Sequence, residues 1–212
     1  MVLRDVPWNL YVALRDLERN WGIRMTYDQG VLELMSPARR HERPTRLLDR
    51  FVFVLADELN RPISSCGMTT LRREDLDKGC EPDSGYYVDH EEEMRSHDDL
   101  DLSEHPPPDL VIESDHTSSS LPRMPIYAAM RVPELWRYDG ATLQFYVLDA
   151  NGEYVPQERS AAFPEITPAD LAKFLDRRFE LDELQLVRSF REWVRQTIGP
   201  RRPDGGREAV EP

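Results

Sequence analysis

The sequence predicts a mixed α/β (α+β) domain in which a central mixed sheet is flanked by helices. Helical and strand-like periodicities alternate along the chain, as helix, hairpin, helix, strands, helix, hairpin, helices. Leu110 to Ile112 form a short continuous apolar run between turn signals, the pattern of a buried central strand. The 212 residues, 40% hydrophobic and 32% charged, are enough for one domain with a real core. We expect residues 1–198 to form that single domain. The remainder, 199–212 (GPRRPDGGREAVEP), is rich in Pro, Gly and charge and is expected to be a disordered tail.

The elements follow in order. In VPWNLYVALRDLERN, Trp8, Val12 and Leu14 to Leu17 recur near helical spacing behind Pro7. IRMTYDQGVLELMS places two alternating runs around Asp28-Gln29-Gly30 and reads as a hairpin. Its second strand sets Val31, Glu33 and Met35 on one face, so Glu33 sits among apolar neighbours. HERPTRLLDRFVFVLADELN repeats Leu47, Phe51, Leu55 and Leu59 every four residues, a helix whose first turn should hold Pro44. ISSCGMTTLRRED is weakly strand-like, and Tyr86-Tyr87-Val88 is a short strand after Asp83. LPRMPIYAAM reads as a helix with Pro122 and Pro125 in its first turn. PELWRYDGATLQFYVLDANGEYV is a hairpin through Asp139-Gly140 with a further turn at Asn151-Gly152. On these strands Trp136 and Tyr138 read as core or sheet-face residues. Thr167 caps a helix with Pro168 at its first position, and LDELQLVRSFREWVRQTI closes the domain as an amphipathic helix.

Charge and composition exclude several classes. The formal net charge is −13, which argues against a general nucleic-acid coat protein. It leaves open a nuclease whose carboxylates hold a cation, because a bound ion changes the local sign. Between Asp89 and Glu104 lie eight acidic residues against one Arg, and that block reads as a solvated loop. Cys66 and Cys80 lack CxxC spacing and adjacent His, so neither zinc nor a disulfide scaffold is expected. There is no GxSxG elbow and no Gly-rich phosphate loop. No apolar stretch is long enough to span a bilayer and the N-terminus lacks a signal peptide's apolar centre, so a cytoplasmic, non-membrane protein is expected.

The chemistry concentrates on acids at strand ends. Asp109, Val111, Glu113 and Asp115 share one face by alternation, which spaces Glu113 and Asp115 about 7 Å apart. Asp109, just after Pro108, reads as a solvated strand start. A carboxylate ending a buried run is costly unless it is paired or metal-bound, and a divalent ion takes oxygen ligands. Asp83 offers a third carboxylate and Glu33 a fourth. For Asp83 two readings are open: a solvated turn residue after Pro82, or half of a metal site.

Taken together, GVLELMSP with HE after it, EPDSGYYV, PPPDLVIESD and RMPIYAAMRVPELWRYDG resemble the Uma-two family of restriction-endonuclease-like proteins, in the PD-(D/E)XK nuclease superfamily. The resemblance runs from about Tyr27 to Tyr154. It implies a restriction-endonuclease-like core and a metal site built from Asp83 and Glu113, with Asp115 as a further ligand of Mg²⁺ or Mn²⁺. In the superfamily a Lys follows the second acid by two residues, whereas here that position is Asp115. In this family the basic residue stands on the next helix, four residues before a Tyr, and here that is Arg123. Arg123 would either serve catalysis or merely pair with Glu113 or Asp115. The resemblance makes Asp83, Glu113, Arg123 and Glu33 candidate catalytic residues and His41 a substrate contact. It points to DNA as substrate, with a homodimer suited to double-strand cleavage. The alternative is a nuclease-fold protein that binds nucleic acid or a protein partner without cutting.

Overall fold

The computed structural model describes residues 1–20, 22–35, 39–114 and 121–199. The expected tail at 200–212 lies outside the described residues. The first elements are strand β1 (Val2–Leu3), helix α1 (Trp8–Arg15), the hairpin strands β2 (Arg24–Asp28) and β3 (Val31–Met35), and helix α2 (Arg39–Glu58). Next come β4 (Ser64–Ser65), β5 (Leu71–Arg73), β6 (Lys78–Cys80), β7 (Ser84–Tyr87), the single-turn helix α3 (Glu91–Met94) and β8 (Leu110–Ser114). The chain then forms α4 (Met124–Ala129), β9 (Glu134–Tyr138), β10 (Leu143–Leu148), β11 (Tyr154–Gln157), α5 (Pro168–Asp176) and α6 (Glu183–Thr197). Among the described residues no helix is long and apolar enough to cross a membrane.

Two sheets result. The larger runs β11-β10-β9-β8-β7-β4, with β8 and β9 parallel and its other pairs antiparallel. The smaller runs β1-β3-β2-β6-β5, all antiparallel. The parallel β8–β9 pair needs a crossover, and α4 lies within it. As expected for a fully covered central strand, Leu110, Val111 and Ile112 are completely buried.

Alternation along β8 divides the core. Leu110 and Ile112 join Trp136, Tyr138 and Phe145 in packing against α2, α5 and α6, through Phe51, Leu55, Phe174 and Phe190. Val111 faces the other way, onto Ile126 and Tyr127 of α4, Met130 just after it, and Leu71 and Cys80 of the smaller sheet. The smaller sheet has its own apolar layer, where Tyr11 of α1 stacks on Tyr27 with ring centroids 4.7 Å apart.

Local chemistry explains most of these elements. Gln29 and Gly30 both have positive φ (46° and 84°), the geometry of a tight hairpin turn. The Thr167 cap expected at α5 is a reciprocal box with Asp170, and Asp182 forms the same device with Gln185 at α6.

Four expectations are corrected. Helix α2 begins at Arg39, so Pro44 lies beyond its first turn, inside the helix. Residues 39–43 already form the start of the helix and move the boundary upstream. Pro122 precedes α4 rather than sitting in it, and only Pro125 occupies the first turn. Part of the acidic block is the helix α3, and Glu91 is buried there, accepting from Ser64 Oγ at 3.0 Å. Asp109 is not a solvated strand start. It is buried and accepts the backbone N–H groups of Val88, Asp89 and His90 at 2.7, 2.9 and 3.0 Å. Pro108 ends the preceding segment so that this carboxylate closes the turn after β7, a role set by a partner 20 residues away in sequence.

Candidate active site

The segment Cys80-Glu81-Pro82-Asp83 carries the chain from the smaller sheet to the larger one, and all four residues are buried. Asp83 is 7% exposed, so it is not a solvated turn residue. Antiparallel register pairs Ser84 with Ile112, and one step further places Asp83 opposite Glu113. Glu113 is 5% exposed, near the end of β8. The topology thus sets two buried carboxylates side by side at the end of two central strands.

Each carboxylate is held by an arginine and by neutral donors. Asp83 Oδ1 accepts from Arg24, the first residue of β2 in the other sheet. Asp83 Oδ2 accepts the backbone N–H of Ser114 at 2.7 Å and the hydroxyl of Thr45, on α2, at 3.4 Å. Glu113 Oε2 accepts from Arg123 at 2.7 Å, and its Oε1 from the Tyr127 hydroxyl. Arg123 stands at the N-cap of α4 and Tyr127 one turn in, so both reach β8 from one short helix. A further ion pair belongs to the same buried segment. Glu81 is buried and paired with Arg15 at 2.7 Å.

Burial and charge set the protonation states. Burial works against the Arg123 cation, but Glu113, Tyr127 and Cys80 outweigh it and raise its pKa. Arg123 therefore holds its charge and cannot act as a base. Burial, with Cys80 and Glu113 adding to it, raises the Tyr127 hydroxyl well above its ordinary value, so it remains a donor. Burial pushes the Cys80 thiol up to about 12, assisted by Glu113. It also raises Glu81, against the pull of Arg15 and Arg24.

The fit to a divalent cation can be judged from these oxygens. An ionised carboxylate offers roughly four acceptor positions. Among the described residues Asp83 uses three, from Arg24, Ser114 and Thr45, and Glu113 uses two, from Arg123 and Tyr127. Acceptor positions remain on both, and hard cations such as Mg²⁺ are commonly held by one or two carboxylates with water completing the shell. The donor chemistry therefore fits one such ion. Among the described residues no group of three or more His, Cys, Asp and Glu is placed to hold a metal, so Asp83 and Glu113 would be a minimal set.

Of the residues singled out in the sequence, the fold brings Asp83, Glu113 and Arg123 together. Glu33 is buried on β3, opposite Thr26, and so shares a sheet face with Arg24. Asp115 lies outside the described residues, and so does the side chain of His41, whose backbone belongs to α2. Sequence reasoning missed Arg24, Thr45 and Tyr127 as holders of the two acids. Arg24 gave no signal, because alternation sets it on one face of β2 with the polar Thr26 and Asp28. Thr45 had none, and Tyr127 entered only as the motif residue from which Arg123 was counted.

A family model described as "Putative restriction endonuclease" matches residues 8–182. The fold is similar to that of a crystal structure from Anabaena variabilis described as "a putative nuclease belonging to DUF820". The TM-score is 0.51 with 14% sequence identity, covering 80% of this chain and 99% of that one. The core is thus restriction-endonuclease-like, a six-stranded mixed sheet with helices on both faces. No curated protein matches the chain.

Proposed function

Because the chain belongs to the Uma2 family, we propose that it is an endonuclease that hydrolyses phosphodiester bonds of DNA with the help of a divalent cation, Mg²⁺ or Mn²⁺. The observation that carries this reading is the pair of buried carboxylates, Asp83 and Glu113, set opposite each other at the end of adjacent central strands. They would hold the cation, with Asp115 adding a further oxygen. The ion supplies charge neutralisation on the phosphate and acidifies water.

The chain's own residues supply position and charge. Arg24, Thr45 and the Ser114 N–H orient Asp83, and Tyr127 and Arg123 orient Glu113. Water attacks phosphorus and gives up a proton to solvent as the new P–O bond forms, and the bond to one bridging oxygen breaks, that oxygen taking up a proton and leaving as a hydroxyl. Negative charge grows on the nonbridging oxygens, where Arg123 provides a permanently charged donor. Arg123 stands where the family carries a basic residue on this helix, and its role is restricted to binding charge. Glu33 supports the site and His41 contacts the substrate in the same reading.

A second reading is favoured by the two arginines. Each carboxylate already has a cationic partner, Arg24 or Arg123, as in a site kept for structure. The protein would then bind nucleic acid or a partner without cutting. One experiment separates the readings: incubation of plasmid and single-stranded DNA with purified protein in Mn²⁺ or Mg²⁺, with Glu113→Gln alongside. Cleavage by the wild type and loss of at least about 10²-fold in the variant is the nuclease result. Equal cleavage by both places the chemistry elsewhere, and none by either, with folded protein, favours binding alone.

A further inference from the structure

The two guanidinium groups on the carboxylates come from different layers of the fold. Arg24 reaches Asp83 from β2 of the smaller sheet, and Arg123 reaches Glu113 from the start of α4. Both pairs are largely out of solvent. The negative charge that should attract a dication is therefore already balanced by two fixed cations. At such short range and low solvent exposure those cations repel an arriving ion with little screening. Two donor atoms point to a second ligand. Arg123 Nε and Ser114 Oγ are buried and have no hydrogen-bond partner among the described residues. A buried N–H without an acceptor is costly, and a guanidinium is shaped to take phosphate oxygens. The orphaned donor is thus on the same side chain that neutralises Glu113.

Resting on the metal-dependent reading of this site, we propose that Arg24 and Arg123 are exchangeable counter-ions. When a phosphodiester backbone arrives, the guanidiniums transfer from the carboxylates to phosphate oxygens. Asp83 and Glu113 are thereby released to the cation. Cation uptake becomes dependent on the nucleic acid, so the cation-loaded state forms on substrate and not before. Coupling of this kind is reciprocal: whatever factor the duplex adds to cation affinity, the cation adds to duplex affinity.

The test is binding of Mn²⁺ to the full chain, read from the spin-resonance signal of free Mn²⁺. It is measured with the metal alone and with a phosphorothioate-linked duplex that resists cleavage. Glu113→Gln with the same duplex sets the background from metal bound to DNA. The expected result is weak binding of Mn²⁺ alone and binding about tenfold tighter with the duplex. Arg24→Gln should bind Mn²⁺ alone about tenfold more tightly than the wild type and gain little from the duplex. Arg123→Gln, on a different element, makes the same prediction if Arg24→Gln does not fold. Wild-type affinity unchanged by the duplex, with Mn²⁺ still bound above background, overturns the exchange and leaves the nuclease reading standing. No binding above background in any protein, with or without duplex, overturns both.

Discussion

Asp83→Asn tests whether Asp83 and Arg24 form one buried unit. The substitution keeps the shape and one acceptor oxygen, so the Ser114 N–H, now at 2.7 Å, can still be satisfied. It removes the charge facing Arg24, which is itself buried. Removing one member of a buried ion pair costs up to about 3–5 kcal/mol. The new amide N–H₂ also faces a donor, which adds to the loss. With a urea slope near the upper end of the usual range, about 3 kcal/mol per molar, the midpoint should fall by about 1–2 M. Urea unfolding followed by tryptophan fluorescence reads this directly. Adding Arg24→Met removes the cation of the pair as well, so the double variant should regain about 2 kcal/mol relative to the sum of the single changes. A loss under about 1 kcal/mol for Asp83→Asn, or a coupling near zero in the cycle, would refute the buried unit and the geometry argued from it.

Two further outcomes follow from the structure. A methyl group at Gly79 would come within 2.7 Å of Tyr11 Cζ, and Tyr11 is fully buried and stacked on Tyr27. Gly79→Ala should therefore destabilise by about 1–3 kcal/mol or more through overpacking, while Gly22→Ala, with open space around it, should cost far less by thermal melting. The bond to Asp109, 2.6 Å from its Nδ1, raises the pKa of half-exposed His90 above its ordinary 6.5, with burial opposing. A raised folded-state value means that this contribution is fully present below pH 6.5 and is lost as pH rises through the folded value. His90→Gln should thus lower stability below pH 6.5 by no more than about 1 kcal/mol, given the solvent around the pair, and the two melting curves should converge in mild alkali. A difference that grows with pH would contradict this.

Elements whose cause is local were legible in the sequence. The hairpin at Asp28-Gln29-Gly30 needs only two residues that tolerate positive φ, and the α5 cap needs only Thr167 and Asp170. The central strand needed only Leu110 to Ile112 between turn signals. Short pieces with little apolar content were not legible. Strand β6, Lys78–Cys80, exists because β2 and β5 pair with it on either side. Asp109 misled for the same reason, since its three backbone donors come from the turn after β7.

The sequence alone determined the mixed architecture and singled out Asp83, Glu113 and Arg123, which the fold then brings together. Periodicity, turn chemistry and the run of motifs are properties of neighbouring residues. Only the tertiary structure decided that the two acids face each other, that Thr45 and Tyr127 hold them, and that Arg24 reaches Asp83 from 59 residues away in sequence. Those facts depend on strand register and on one sheet meeting another. Low-dielectric contact between distant residues sets the charge balance of the site, and that contact exists only once the layers have packed.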